Sequence, residues 1–175
     1  IICLLDGDDF FLPEKLEILK KEFINNTYID VVFDSPLYKS NGKLSKIKIK
    51  KKFQKNIWPT IINTSSISMR REFLYECLNK KIFDNYELLE IDFRINLYSR
   101  LIKNNFKIIE QPITIYRKVE NSIISNIKKF SGIWWIKRNE AHKYMKNLFI
   151  DNQLMYRNSI DRLLTKFISK FFIKK

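Results

Sequence analysis

Hydrophobic and polar positions along the first third of the chain predict strands that alternate with helices. The apolar run at residues 1–5 predicts a fully buried strand. Apolar residues at helical spacing, with a proline near the start, predict a helix over about residues 13–25. A β-branched run predicts a second strand at residues 29–33. This order of elements is typical of α/β proteins.

The rest of the pattern predicts a hairpin followed by further strands and helices. Asn41-Gly42 is a strong turn signal between residues 37–38 and the alternating segment 47–50, whose lysines suit an edge strand. Further strands are expected at residues 65–69, 106–109 and 113–116, and further helices at about 71–79, 92–103, 131–149 and 155–172.

The opening strand also bears on the extent of the sequence. A fully buried strand needs neighbours on both sides, and residues 1–5 are already the first segment. We therefore expect the sequence to be a fragment whose preceding strands are missing.

Composition then narrows the class of protein. An apolar fraction of 45% in 175 residues excludes wholesale disorder, and two cysteines exclude a disulfide scaffold and fit a reducing compartment. No apolar run reaches the roughly 18 residues of a membrane span. The net charge of +14 permits binding to nucleic acid or to an anionic membrane. Most of this positive charge is better explained by the general amino-acid usage of the chain than by binding, because the lysines accompany many isoleucines, asparagines and phenylalanines.

The most informative segment is the acidic loop, Asp6-Gly7-Asp8-Asp9, directly after the first strand. Three carboxylates within four residues repel one another, and the carboxyl ends of strands in open α/β sheets are where ligands bind. Oxygen ligands suit a hard cation such as Mg²⁺ or Mn²⁺. We therefore expect a metal site, the alternative being an acidic surface turn.

Four motifs in order carry a resemblance to a known family. The first is Leu-Asp-Gly-Asp-Asp-Phe-Phe-Leu-Pro-Glu-Lys-Leu-Glu at residues 5–17. The others are Thr-Ser-Ser-Ile-Ser-Met-Arg-Arg-Glu-Phe-Leu at 64–74, Asp-Phe-Arg at 92–94, and Glu-Gln-Pro-Ile-Thr-Ile-Tyr-Arg at 110–117 with Glu-Asn-Ser at 120–122. Over about residues 1–125 the chain resembles family 2 glycosyltransferases of the GT-A fold.

The resemblance implies a fold and a domain organisation. The fold is α/β, with a GT-A-type mixed sheet flanked by helices, and its N-terminal nucleotide-binding strands are missing. Residues 1–128 would be a partial GT-A domain, and residues 129–175 a C-terminal helical extension or tail.

The resemblance also implies a reaction. It is the inverting, metal-dependent transfer of a sugar from a nucleotide-sugar donor to a hydroxyl of a glycan or lipid-linked acceptor, as in bacterial cell-surface polysaccharide biosynthesis. Asp6 and Asp8 would hold Mg²⁺ or Mn²⁺, with Asp8 the more direct ligand. Asp9 completes the acidic motif, and Arg117 would pair with the donor diphosphate.

The general base of this reaction has two candidates. The resemblance aligns Asp92 with the base, because Phe93 and the following helix match the family pattern. Glu90 is its rival, since many members have adjacent Glu and Asp where this chain has Glu90-Ile91-Asp92. A role for Asp92 as a helix N-cap is the structural alternative and is compatible with catalysis.

Three other residues receive an interpretation from their context. His142, the only histidine, is expected to be a solvated or partly buried helix residue without a catalytic role. Cys77 is expected in the core, because no second cysteine or acid–base pair stands near it. Trp58 could stack on a sugar or pack in a core.

The last predicted helix is sharply amphipathic. Its apolar residues form one stripe: Ile160, Leu163, Leu164, Phe167, Ile168, Phe171 and Phe172. Packing against the domain is the commoner reason for such a stripe, and contact with a membrane interface is the alternative. The second would suit a lipid-linked acceptor, and with it a cytoplasmic enzyme that is peripheral at the inner face of the plasma membrane.

Two other functions compete with sugar transfer. A phosphatase of the haloacid dehalogenase type also has a strand that ends in Asp-x-Asp, but Phe10 stands where that pattern needs Thr or Val. A basic nucleic-acid-binding domain would explain the charge. The lysines are scattered and no recognised binding motif is present, so we expect no nucleic-acid partner.

Overall fold

The structure is a computed structural model that describes residues 1–46, 59–117 and 127–173. Within these ranges the chain is a mixed α/β protein, as the pattern predicts. It has five helices: α1 (Lys15–Asn25), α2 (Arg71–Asn79), α3 (Ile91–Leu97), α4 (Gly132–Asp151) and α5 (Ile160–Ile173). It divides into two compact units, one of Ile1–Phe83 with Ile91–Val119 and one of Asp84–Glu90 with Glu120–Lys175.

The first unit contains two four-stranded mixed sheets, where a single mixed sheet was expected. The strands are β1 (Ile2–Cys3), β2 (Phe10–Phe11), β3 (Val31–Asp34), β4 (Leu37–Ser40), β5 (Lys43–Lys46), β6 (Ile67–Met69), β7 (Phe106–Ile109) and β8 (Thr114–Arg117). One sheet has the order β1-β6-β3-β7 and the other the order β2-β8-β4-β5.

Two prolines explain the division into two sheets. The parallel neighbours β3 and β7 lie in the first sheet, and the strands that continue them, β4 and β8, are parallel neighbours in the second. Pro36 lies between β3 and β4, and Pro112 lies between β7 and β8. Each interrupts the strand because proline cannot donate a ladder hydrogen bond. Both chain segments therefore end their pairing in the first sheet and pair again with each other in the second.

The opening strand is shorter and more exposed than predicted. Only Ile2–Cys3 pair, antiparallel to β6, and both residues are half-buried. Ile1 and Leu5 are exposed. The expectation of a fully buried strand over residues 1–5 is therefore wrong for this structure, in which β1 lies at the end of its sheet.

The remaining predictions for the first unit agree with the structure to within a few residues. Helix α2 has the predicted bounds, and α3 continues through a π-helical turn over Tyr98–Lys103 as the apolar spacing predicts. The hairpin forms at Asn41-Gly42, whose φ angles of 48° and 74° are those of a type I′ turn. Its second strand is β5, which pairs antiparallel with β4. The prediction of a strand at residues 47–50 lies outside the described ranges.

A core between α1 and the first sheet holds this unit together. It comprises Leu19, Phe23, Ile29, Val32, Ile109 and Ile113, with Cys3 and Ile18 packed against it. Cys77 is buried as expected, and burial raises the pKa of its thiol to about 12. That thiol is therefore protonated and unreactive at neutral pH.

The second unit contains α4 and α5. Ser131 caps α4, its Oγ accepting a hydrogen bond from Trp134 N–H at 3.3 Å. Asp161, at the start of α5, pairs with Arg138 near the middle of α4. Phe172, near the end of α5, lies against Gly132 at the start of α4. The two helices are therefore antiparallel. Within the described ranges, no helix combines the length and apolar character needed to cross a bilayer.

His142 is fully buried in α4, and its Nε2 lies 2.7 Å from Asp161 Oδ2. Burial lowers the pKa of His142 from the ordinary 6.5, against the opposing effect of the hydrogen bond and charge of Asp161 and with smaller contributions from Arg138 and Arg162. His142 lies in a helix as expected, but its complete burial against Asp161 differs from the solvated or partly buried position that was expected.

The lowered pKa of His142 predicts how stability depends on pH. Because the pKa of His142 is lower in the folded chain, the unfolded chain binds more protons as the pH falls through 6.5, and the free energy of unfolding falls with it. Urea denaturation between pH 7.5 and 5 should show this decline, and His142→Gln should make it shallower. An identical slope in the variant would contradict the assignment.

Candidate functional site

The acidic loop joins the two sheets of the first unit, since β1 precedes it in one and β2 follows it in the other. A turn closes the loop, with Asp9 N–H donating to Asp6 C=O at 3.1 Å. Asp6 N–H donates to Ser65 Oγ at 2.9 Å. The loop is therefore closed by an internal turn and held at its start by the Ser65 hydroxyl.

Arg117 is fixed to this loop by three contacts. β2 pairs antiparallel with β8, which ends at Arg117, and this register brings Arg117 beside Asp8 and Asp9. Its backbone N–H donates to Asp9 Oδ1 at 2.9 Å, and its Nε–H donates to Asp8 C=O. Its guanidinium lies over the Phe10 ring, 4.3 Å from the centroid. The structure thus brings Arg117 beside Asp8 and Asp9, which are 109 and 108 residues away in the sequence.

The carboxylates of the loop repel one another. The pKa of Asp6 is raised by burial and by the carboxylates of Asp9 and Asp8, against a hydrogen bond with Thr64. Burial and the same three carboxylates raise the pKa of Tyr116. Asp9 is buried, and its Oδ2 has no hydrogen-bond partner among the described residues. A cation at this loop would relieve the repulsion.

The donor atoms of the loop fit a hard cation. Mg²⁺ is commonly held by one or two carboxylates together with substrate phosphates, so a complete protein cage is not required. The described ranges contain no group of three or more His, Cys, Asp and Glu side chains arranged to hold a metal ion. Asp6 and Asp8 supply two carboxylates of the type that such a site uses.

Lys15 forms a buried hydrogen-bond network next to the acidic loop. The sequence pattern did not predict this network. Its Nζ donates to Asp34 Oδ2 at 3.0 Å, to Ser65 C=O at 2.7 Å and to Thr114 Oγ1 at 2.6 Å. The same ammonium lies 4.1 Å from the centroid of the Phe11 ring. Burial lowers the pKa of Lys15, and Asp34 opposes that shift.

This network is connected to the acidic loop through Ser65. Ser65 accepts from Asp6 through its hydroxyl and from Lys15 through its carbonyl, so one residue connects the buried cation to the acidic loop. A signal for Lys15 exists in the sequence, because it lies four residues before Leu19 and eight before Phe23. That spacing puts it in the apolar stripe of α1.

Asp92 and Glu90 have different surroundings. Asp92 is half-buried in the first turn of α3, and its Oδ1 accepts from Phe93 N–H at 2.6 Å. It lies within the helix and so is not its N-cap. Glu90, in the second unit, forms an ion pair with Lys137.

A short segment connects the helix of Asp92 to the acidic loop. Asn96, one turn after Asp92, exchanges two hydrogen bonds with the backbone of Ile62, at 3.1 and 2.9 Å. Ser65, three residues further on, holds Asp6. Three residues span at most about 11 Å, so α3 and the loop are tied to the same short stretch of backbone.

Part of the predicted site lies outside the described residues, namely Trp58 and the Glu-Asn-Ser motif at 120–122. No protein-family model matches the chain, and no curated protein is significantly similar to it.

Proposed function

We propose that this chain is part of a GT-A glycosyltransferase domain of family 2. In this proposal it contributes to the inverting transfer of a sugar from a nucleotide-sugar to a hydroxyl of a glycan or lipid-linked acceptor. The observation that carries the proposal is the contact between Arg117 and the acidic loop. The Arg117 side chain donates to the backbone carbonyl of Asp8 and its backbone N–H donates to the Asp9 carboxylate, although these two motifs of the resemblance are 109 and 108 residues apart in sequence.

The site residues divide the work of binding the donor. Asp6 and Asp8 would hold Mg²⁺ or Mn²⁺, which, when bound, neutralises charge that develops on the leaving nucleoside diphosphate. Arg117 is positioned by Asp8 and Asp9 at the same loop, where a guanidinium can contact phosphate oxygens. Lys15 and Ser65 keep the loop in one conformation, so that less ordering is needed when the donor binds.

Asp92 is the general base of the proposed reaction. Its carboxylate would accept the proton of the acceptor hydroxyl as that oxygen attacks the anomeric carbon opposite the leaving group. Asp92 is preferred to Glu90 because Phe93 and the helix that follows match the family pattern at this position.

Thermal shifts test the donor site directly. We expect Mn²⁺ together with a nucleoside diphosphate to raise the melting temperature, and a ligand at 100 times its Kd stabilises a fold by about 2.7 kcal/mol. The panel comprises the diphosphates of uridine, guanosine, adenosine, cytidine and thymidine. Inorganic pyrophosphate is added because the acidic loop and Arg117 would contact only the diphosphate.

The variant Asp8→Asn makes this test specific for a bridging cation. If the cation links carboxylate to diphosphate, Asp8→Asn removes the shift. If anions bind only to the positive charge of the protein, the same change removes a repelling carboxylate and enlarges the shift. Asp151→Asn, at an exposed position at the end of α4, is the matched control and should keep the shift. A full shift in Asp8→Asn would refute the proposed metal site.

A further inference from the structure

Helix α5 packs on α4 through polar and small groups. Thr165 and Ser169 are fully buried, and Asp161 contacts Arg138 and His142 of α4. The Phe172 ring lies so close to α4 that a Cβ at Gly132 would come within 2.8 Å of it. The side of α5 that faces the protein is therefore mainly its polar side.

The apolar side of α5 faces away from α4 and is exposed. Five large side chains have 51–86% of their surface accessible: Ile160, Leu163, Leu164, Phe167 and Phe171. At about 100° per residue they occupy an arc of about 100°, centred opposite Thr165 and Ser169. Packing against the domain was the favoured explanation of this stripe, and for these five residues the structure does not support it.

Basic residues flank the exposed arc. Lys166 and Lys170 lie along one side of it, and Arg162 lies beyond them. Residues 160–175 carry five basic side chains and one acidic side chain, a net charge of +4. An apolar strip beside a positively charged flank is typical of helices that lie in the interface of a membrane with anionic lipids.

The start of α4 extends the same kind of surface. Phe130 and Ile133 are exposed there, close to Gly132, on which Phe172 packs. Lys129 lies over the Phe130 ring, 5.1 Å from its centroid, and Lys128 precedes it. Exposed rings with adjacent lysines thus continue from the end of α5 to the start of α4.

We propose that the exposed apolar face of α5 docks into the headgroup region of an anionic lipid bilayer. Charge decides between this occupant and a second copy of the chain. Two chains of net charge +14 that meet through basic helices repel each other, whereas anionic lipid attracts the lysines that border the apolar arc. The proposal rests on α5 alone and does not depend on sugar transfer.

Vesicle co-sedimentation of the 175-residue chain tests the proposal. Wild type should bind vesicles of phosphatidylcholine with phosphatidylglycerol at low salt and bind pure phosphatidylcholine much more weakly. Phe167→Ser with Phe171→Ser keeps every charge and should lower the partition coefficient at least about tenfold, because the apolar contact is lost. Both positions are exposed, so the melting temperature should be unchanged.

Two further variants separate insertion from attraction by charge. Leu16→Ser with Ile24→Ser removes two apolar side chains of α1 that are 64% and 62% exposed, and should leave binding unchanged. Lys166→Gln with Lys170→Gln should lower binding about tenfold. The proposal is overturned if wild type does not bind, if the phenylalanine variant binds as well as wild type, or if that variant instead converts a dimer to a monomer.

Discussion

Replacing Lys15 by methionine is expected to lower the free energy of unfolding by about 3–5 kcal/mol, measured by urea denaturation. Lys15 is 0% exposed and its partner Asp34 is 1% exposed, so the variant leaves a carboxylate buried without its cation. The carbonyl of Ser65 and the hydroxyl of Thr114 lose the same donor. The large loss comes from this uncompensated polarity rather than from the net value of the pair.

Two further variants test that explanation. Lys21→Met removes an exposed ion pair with Glu17 on the same helix and should leave stability almost unchanged. Adding Asp34→Asn to Lys15→Met removes the stranded charge and should recover a large part of the loss. A Lys15→Met variant as stable as Lys21→Met would show that the buried network does not hold the fold together.

Changing Asp92 to asparagine is expected to lower kcat for sugar transfer by about 10²–10⁴, the usual contribution of a general base. The amide cannot accept the proton of the acceptor hydroxyl, while the acidic loop is unaltered. The KM for the nucleotide-sugar should therefore stay close to the wild-type value. Radiolabelled sugar transfer measured over a range of donor concentrations gives both quantities.

Glu90→Gln is the companion variant, because it decides between the two candidate bases. It breaks the ion pair with Lys137, and we expect kcat to change by less than about tenfold. The opposite result, with turnover retained in Asp92→Asn and lost in Glu90→Gln, would transfer the role of base to Glu90. Thermal melts of both variants show whether a loss reflects chemistry or unfolding.

Local signals predicted the elements well. The Asn-Gly pair predicted the hairpin turn because its φ angles suit few other residues, and the apolar spacing predicted α2 and α3. The division into two sheets was not predicted. It depends on two parallel strands breaking at the same level, at Pro36 and Pro112, and that pairing is not visible in either segment alone.

Tertiary contacts determine two features that the hydrophobic periodicity of the sequence leaves open, namely the packed face of α5 and the partners of Lys15. The amphipathic pattern of α5 was recognised, but only the contacts of Asp161 and Phe172 with α4 establish which face packs. Lys15 lies in an apolar stripe, yet its partners Asp34 and Thr114 are 19 and 99 residues away. In the candidate site the carboxylates were predicted from the acidic motif after the first strand and Arg117 from the resemblance, whereas the support from Ser65 was not predicted.

The position of the acidic loop between the two sheets has a mechanical consequence. The acidic loop and the chain breaks at Pro36 and Pro112 all lie at the boundary between the two sheets. Lys15 links the two sheets across this boundary, because it donates to Asp34 on β3 and to Thr114 on β8. Sliding of one sheet against the other would therefore pull on the carboxylates themselves. A substitution at this boundary is therefore expected to change ligand affinity without contacting a ligand, because the geometry of the loop depends on the relative position of the two sheets.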